Sequence, residues 1–174
     1  VKAVRFEGLE RIQAGDITSG LQLRPPKGIW PFRTWVEFDR LALELDRRRV
    51  ETFLRLHGYF DARVDDVSVE GDEKITITYH LEQGPPGRLK EVAFSGAQDI
   101  YNERQLKRRA GLPLEKPLVY QRYTEGKDRI RRGLLEKGRA HARVEGVIEV
   151  LRDAAASRVV YTLEPGPPVR FGPL

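Results

Sequence analysis

The chain has no cysteine among its 174 residues, which excludes disulfides, thiolate nucleophiles and cysteine-ligated zinc. It also has no methionine, not even at position 1, and so reads as an excised part of a longer protein. Histidine is scarce, and His57, His80 and His141 stand at no metal-ligand spacing from one another. No apolar run approaches the roughly 18 residues that cross a bilayer as a helix. The opening Val1-Lys2-Ala3-Val4-Arg5-Phe6 looks like a strand rather than a signal peptide. Phosphate-loop, dinucleotide-binding, nucleophile-elbow and zincin patterns are all missing, so no cofactor, no metal site and no enzymatic activity are expected.

Charge, by contrast, is plentiful. Lys and Arg total 31 against 26 Asp and Glu, a net charge of +5, and the two signs are interleaved. Such a pattern describes a mixed, solvated surface. The basic runs Arg47-Arg48-Arg49 and Lys107-Arg108-Arg109 fall on predicted helices whose outer faces must be charged in any case. A basic tandem nucleic-acid-binding module is the alternative reading of this charge, and nucleic acid is not the expected partner. Asp61, Asp65, Asp66, Glu70, Asp72 and Glu73 gather around a predicted turn and read as solvated carboxylates, since they lack the spacing of a calcium loop.

The dominant feature is duplication. Leu54-Arg55-Leu56-His57-Gly58-Tyr59-Phe60-Asp61-Ala62-Arg63-Val64 aligns with Leu134-Leu135-Glu136-Lys137-Gly138-Arg139-Ala140-His141-Ala142-Arg143-Val144 at an offset of 80. Val4-Arg5-Phe6-Glu7-Gly8 answers to Val92-Ala93-Phe94-Ser95-Gly96, and Tyr79 to Pro86 answers to Tyr161 to Pro168. A repeat of about 80 residues is long enough to bury its own core and too long for a solenoid unit.

Within one repeat, alternating Val4-x-Phe6 or Val92-x-Phe94 predicts a first strand with one buried face, ended by glycine. A short helix follows, marked in the second copy by Asn102 as cap and Gln105 three residues on, and stopped by Gly111. In the first copy Gly15-Asp16 and Gly20-Leu21 are the matching start and stop. The second helix carries a core stripe: Leu43, Val50, Phe53 and Leu54 in one copy, Tyr123, Ile130 and Leu134 in the other. Gly58 and Gly138 end it, where a left-handed residue is wanted. Ala62 to Val69 and Ile75 to Leu81 then form a hairpin over Glu70-Gly71-Asp72-Glu73, matched by Ala142 to Leu151 and Val159 to Leu163 with the tract Arg152 to Ser157 between them.

The expected fold is therefore α+β: two tandem β-α-α-β-β domains, each a three-stranded mixed sheet packed against two helices. Their expected bounds are 1–84 and 85–166, with 167–174 as a linker and the start of a truncated third repeat. Gly84, Pro85, Pro86 and Gly87 form a short, stiff interdomain linker. One place breaks the repeat. Leu23 to Gly58 spans 35 positions but Leu114 to Gly138 only 24, and the excess of 11 lies in an insert at about 25–38. Trp30, Phe32 and Trp35 sit there; they are expected to pack under the domain, with docking of a partner as the alternative.

This pattern of a Val-x-Phe-x-Gly strand, two helices, Gly58-Tyr59-Phe60-Asp61-Ala62-Arg63-Val64 and a hairpin ending in Gly84-Pro85-Pro86 resembles the polypeptide-transport-associated (POTRA) repeats of outer-membrane assembly factors such as BamA and TamA. The second copy departs from it where Arg139 replaces the aromatic residue after glycine. The resemblance implies a periplasmic segment ahead of the protein's own C-terminal β-barrel. Its implied partners are unfolded outer-membrane proteins, together with periplasmic lipoproteins or other assembly subunits. It further implies that the first hairpin strand lies at the sheet edge, so that Val64, Asp66, Val67, Ser68 and Val69, and Val144, Val147, Ile148 and Val150, offer backbone groups to an extended client. Asp66 and Ser68 are the exposed side chains expected to modulate that pairing.

Overall fold

The structure, a computed structural model, describes residues 1–26 and 35–169. The chain divides into two compact units, Val1–Arg55 with Tyr59–Pro85, and Leu56–Gly58 with Pro86–Leu174.

The first unit contains β1 (Ala3–Glu7), α1 (Ala14–Ser19), α2 (Arg40–Leu56), β2 (Arg63–Glu70) and β3 (Thr76–Glu82). Its sheet has the order β1-β3-β2: β1 runs parallel to β3, with Val4 opposite Ile77 and Phe6 opposite Tyr79, and β2 runs antiparallel to β3. The last strand is thus central. Ile77, Tyr79, Val50 and Leu54 are fully buried, and Ile17, Leu21 and Leu23 close the same core from the α1 side. Each such side chain contributes roughly 1.5–3 kcal/mol by leaving water. Val36 and Phe38, from the end of the predicted insert, pack against this core. Trp35 is 52% exposed, while Trp30 and Phe32 lie outside the described residues.

The second unit repeats the plan with β4 (Arg88–Ser95), α3 (Glu103–Ala110), α4 (Tyr120–Glu136), β5 (Arg143–Leu151) and β6 (Ala156–Glu164), in the sheet order β4-β6-β5. Phe94 stacks on Tyr161 at 5.7 Å between centroids, as Phe6 stacks on Tyr79 at 5.5 Å. Both units are α+β, with a mixed three-stranded sheet and two helices; α1 begins at Ala14 behind Gln13 rather than at the expected Gly15-Asp16, and stops at Gly20 as expected, while in the second unit the local signals produced the expected ends. Asn102 and Gln105 form a reciprocal capping box on α3, and Gly111 closes it at φ 62°.

Three differences from the sequence reading have physical causes. First, β6 begins at Ala156 rather than Val159, because Arg88 and Leu151 both pair with Ala156 and draw the small residues of the tract into the sheet. Only Arg152–Ala154, a single 3-10 turn, and Ala155, at φ 42°, are left to reverse the chain. Second, Asp46 sits in the buried stripe of α2, where a charged residue breaks the apolar pattern. Third, β2 carries a bulge between Val64 and Asp66. The extra residue resets the alternation, so that Val64 is buried and Val67 again packs against the core. The predicted start of a third repeat at 167–174 lies outside the described residues from 170 onward.

Candidate functional site

Among the described residues, the first hairpin strand of each sheet pairs on one side only, β2 with β3 and β5 with β6. These two edges hold all the client-facing residues expected from the sequence, but they differ in how open they are.

On β2 the edge is partly closed from within its own unit. Glu51 of α2 accepts the Val64 N–H at 3.1 Å, and Arg47 donates to the Val64 carbonyl at 2.7 Å, so both backbone groups of Val64 have partners. Arg55 donates to the carbonyl of Ala62 at 3.3 Å. Beyond them comes the bulge, and Arg63 is paired with both Asp65 and Glu82. These neighbouring carboxylates raise the affinity of the Arg63 guanidinium for its proton, through its hydrogen bond to Asp65 first. Asp66 is exposed as expected. Ser68 is half-buried instead, its Oγ 3.2 Å from His80 Nε2, while His80 Nδ1 lies 3.0 Å from Glu7. In the tautomer whose Nδ1–H donates to Glu7, Nε2 accepts a hydrogen bond from the Ser68 hydroxyl, and one residue from each of β2, β3 and β1 is tied across the outer face. A bulge and charged side chains are devices that blunt strand pairing.

β5 is different. Its nine residues pair with β6 in continuous register from Arg143 to Leu151, with no bulge. Val144 is buried, Gly146 lies close under the Tyr123 hydroxyl, and Ile148 is half-buried, which defines the inner face. On the outer face Val147, 61% exposed, and Leu151, 51%, alternate with Glu145 and Glu149 along a straight edge, and Val150, on the inner-face side, is exposed at the strand's end. Among the described residues, the one helix side chain that bonds the backbone at the start of this strand is Arg131, 3.4 Å from the Ala142 carbonyl. Lys127 and Arg131 stand where Arg47 and Glu51 stand in the first repeat, so the carboxylate that accepts the Val64 N–H is replaced by a guanidinium that cannot accept.

A feature absent from the sequence reading lies at the other edge of the second sheet. The start of β4 is covered, because Leu89 donates to Lys116 O at 2.9 Å and accepts from Glu115 N–H at 2.8 Å. Past that point a groove of about 350 Å³ runs between β4 and α3, with Val92, Phe94 and Leu106 on its floor and Glu91, Glu103 and Lys107 on its rim. It is lined by residues of β4 and α3 that are remote along the chain, and local periodicity carries no signal for such a meeting. Of the linker residues, Gly84 takes φ +67°, as does Gly166 in the second copy. Gly87 N–H donates to the Gly58 carbonyl at 2.7 Å, and its counterpart Val169 donates to Gly138 at 2.8 Å.

The family model described as POTRA, surface antigen variable number repeat, matches residues 1–84. Among the curated proteins, none matches the sequence. The chain is similar to the crystal structure of BamA POTRA3-5 from Haemophilus influenzae, with 16% identity and a TM-score of 0.56, over 97% of this chain and 66% of that one. It is similar to the N-terminal domain of Omp85 from the thermophilic cyanobacterium Thermosynechococcus elongatus, with 17% identity and a TM-score of 0.54, over 95% and 62%. BamA from Haemophilus ducreyi lacking POTRA domains 1-3 matches with 16% identity and a TM-score of 0.52, over 94% and 29%. The chain thus spans about two thirds or less of the length of these structures, and at such identities the likeness is one of fold.

Proposed function

Because residues 1–84 belong to the POTRA family and the second unit repeats the same fold, we propose that the chain is the periplasmic POTRA segment of an outer-membrane β-barrel assembly or translocation protein, and that it receives unfolded outer-membrane proteins by strand addition on β5. The observation that carries this reading is the unbroken edge of β5, with Val147, Val150 and Leu151 exposed along it. A client strand with alternating apolar residues pairs its backbone with that edge and sets its own side chains beside the valines. The backbone supplies sequence-independent affinity and the side chains supply modest selection. β2, with its bulge, its carboxylates and its covered Val64, is the poorer acceptor. Of the two edges expected from the sequence, the proposal thus favours that of β5.

In this reading the chain carries no catalysis. Its own barrel follows it in the full-length protein, and the exposed Trp35 is an anchor for an accessory lipoprotein or another assembly subunit. Titration of the labelled chain with an unfolded barrel-strand peptide at physiological salt, with a sequence-scrambled peptide beside it, tests the proposal. Amide shifts concentrated along Val144 to Leu151, with weaker shifts along β2, are expected. Shifts that appear only with an oligonucleotide, and that vanish steeply with salt, would replace it with the nucleic-acid reading.

A further inference from the structure

Helices α3 and α4 border an open cleft of about 470 Å³ lined by Arg108, Arg109, Arg129, Arg132 and Glu136. Four guanidinium groups line it beside one carboxylate, Glu136, 4.0 Å from Arg109, and Glu125, outside the lining, lies 3.5 Å from Arg129, so basic groups remain in excess. So many like charges around one hollow repel one another, and an anion placed among them removes that repulsion.

Two of the four are held in place. Arg129 donates from Nε to the carbonyl of Arg109 at 2.8 Å and from Nη2 to that of Ala110 at 2.7 Å, which occupies carbonyls that the end of α3 leaves without helical partners. Arg109 lies over the Tyr101 ring, 4.7 Å from its centroid, and the Tyr101 hydroxyl donates to the Gly133 carbonyl at 2.7 Å. The backbone makes room for both. A Cβ at Gly133 would come within 2.5 Å of Arg109 Nη1, and one at Gly111 within 2.8 Å of Arg129 Nη2. Arg108 and Arg132 are exposed on the rim, Arg132 making one long bond of 3.4 Å from Nε to the Asp128 carbonyl.

The first repeat serves as an internal control. Where the second has Arg132, Gly133 and Glu136, the first has Thr52, Phe53 and Leu56, and the last turn of α1 carries no basic residue. Packing of this fold therefore does not demand a guanidinium at Arg132 or basic residues in the last turn of the first helix. Of the lining residues on α4, only Arg129 has an arginine counterpart, Arg49, and it serves the carbonyls at the end of α3, so the added charge of Arg108, Arg109 and Arg132 is the departure that marks a binding site.

We infer that the cleft binds a phosphate group, either free phosphate or the headgroup of an anionic lipid. Arg109 and Arg129 present guanidinium planes that are already oriented, and Arg108 and Arg132 close on the phosphate oxygens from the rim with paired N–H donors. The cleft has the size of a small-ligand site. It shares no residue with the β5 edge, so it stands or falls separately from client binding.

The test follows the arginine side-chain N–H signals of the nitrogen-15-labelled chain during titration with sodium phosphate, against sodium chloride at matched ionic strength. Saturable shifts at Arg108, Arg109, Arg129 and Arg132 with phosphate alone are expected. The double variant R108Q/R132Q is expected to raise the dissociation constant about tenfold or more while melting at the wild-type temperature, because both side chains are exposed. Sedimentation with phosphatidylcholine vesicles, with and without phosphatidylglycerol, separates the two sources. Retention that the double variant loses assigns the headgroup, and phosphate shifts without vesicle binding assign free phosphate. Shifts spread evenly over the basic surface, or an unchanged dissociation constant in R108Q/R132Q, would overturn the site.

Discussion

Asp46 is fully buried in α2, and its carboxylate accepts the N–H groups of Gln22 at 2.9 Å and Leu23 at 2.7 Å and a bond from Arg49 at 2.7 Å. It thereby fastens α2 to the segment leaving α1. Substitution D46A strands two backbone donors and is expected to lower stability by about 2–4 kcal/mol, read from urea unfolding. The repeat-related pair Tyr79 and Tyr161 offers a finer contrast. Both rings are fully buried, but the Tyr161 hydroxyl donates to the Tyr123 carbonyl at 3.0 Å, whereas that of Tyr79 meets no partner among the described residues. Y161F is therefore expected to cost about 1 kcal/mol, and Y79F to be neutral or slightly stabilising. Burial pushes both phenols up, Tyr79 further through the nearby Asp46 charge and Tyr161 through Tyr123. A phenol with a raised value in the folded state adds stability that is complete below the ordinary tyrosine value of about 10 and is lost as pH rises beyond it. Unfolding midpoints should accordingly fall with pH above about 10, and Y79F should flatten part of that fall. Gly8 and Gly96 end β1 and β4 at φ +85° and +78°, and an added Cβ would overlap the carbonyl oxygens of Leu81 and Leu163. Alanine at either site combines that overlap with backbone strain and is expected to cost more than 1 kcal/mol.

Among the elements, the two edge strands differ in how open they are, and the proposed client site rests on that contrast. Replacing Val147 by lysine sets a charge on the open edge of β5, where the side chain is 61% exposed. The expected result is loss of the peptide-induced amide shifts, with folding stability unchanged within about 0.5 kcal/mol. A retained response in V147K would move the client site away from this strand. The ends of the helices were legible in the sequence, since caps and stops are contacts within a few residues: Asn102 with Gln105, and the positive φ of Gly58 and Gly138. The β2 bulge was not legible. Arg63-Val64-Asp65-Asp66-Val67 is compatible with either parity, and the choice is made by which valines the helical layer can cover.

For the whole molecule, duplication sets the plan: two units, each with the last strand central and a core of its own helices and sheet. If each core is a separate cooperative unit, D46A should speed amide exchange at Val50 and Ile77 well before Ile130 and Tyr161 respond, as hydrogen-exchange mass spectrometry would resolve. The sequence alone determined the repeat, the order of its elements, the faces they bury and the family they resemble, because strand and helix periodicity, caps and turn glycines act between near neighbours. Trp30 and Phe32 of the insert lie outside the described residues, so the docking alternative rests on Trp35. Tertiary structure decided which edge is open and where the arginines meet. Val64 is covered by Glu51 and Arg47 from a helix earlier in the chain, while Arg108 and Arg132 line one cleft from two helices. Edge closure and charge clustering depend on distances between residues remote along the chain, and those distances exist only once the layers have packed.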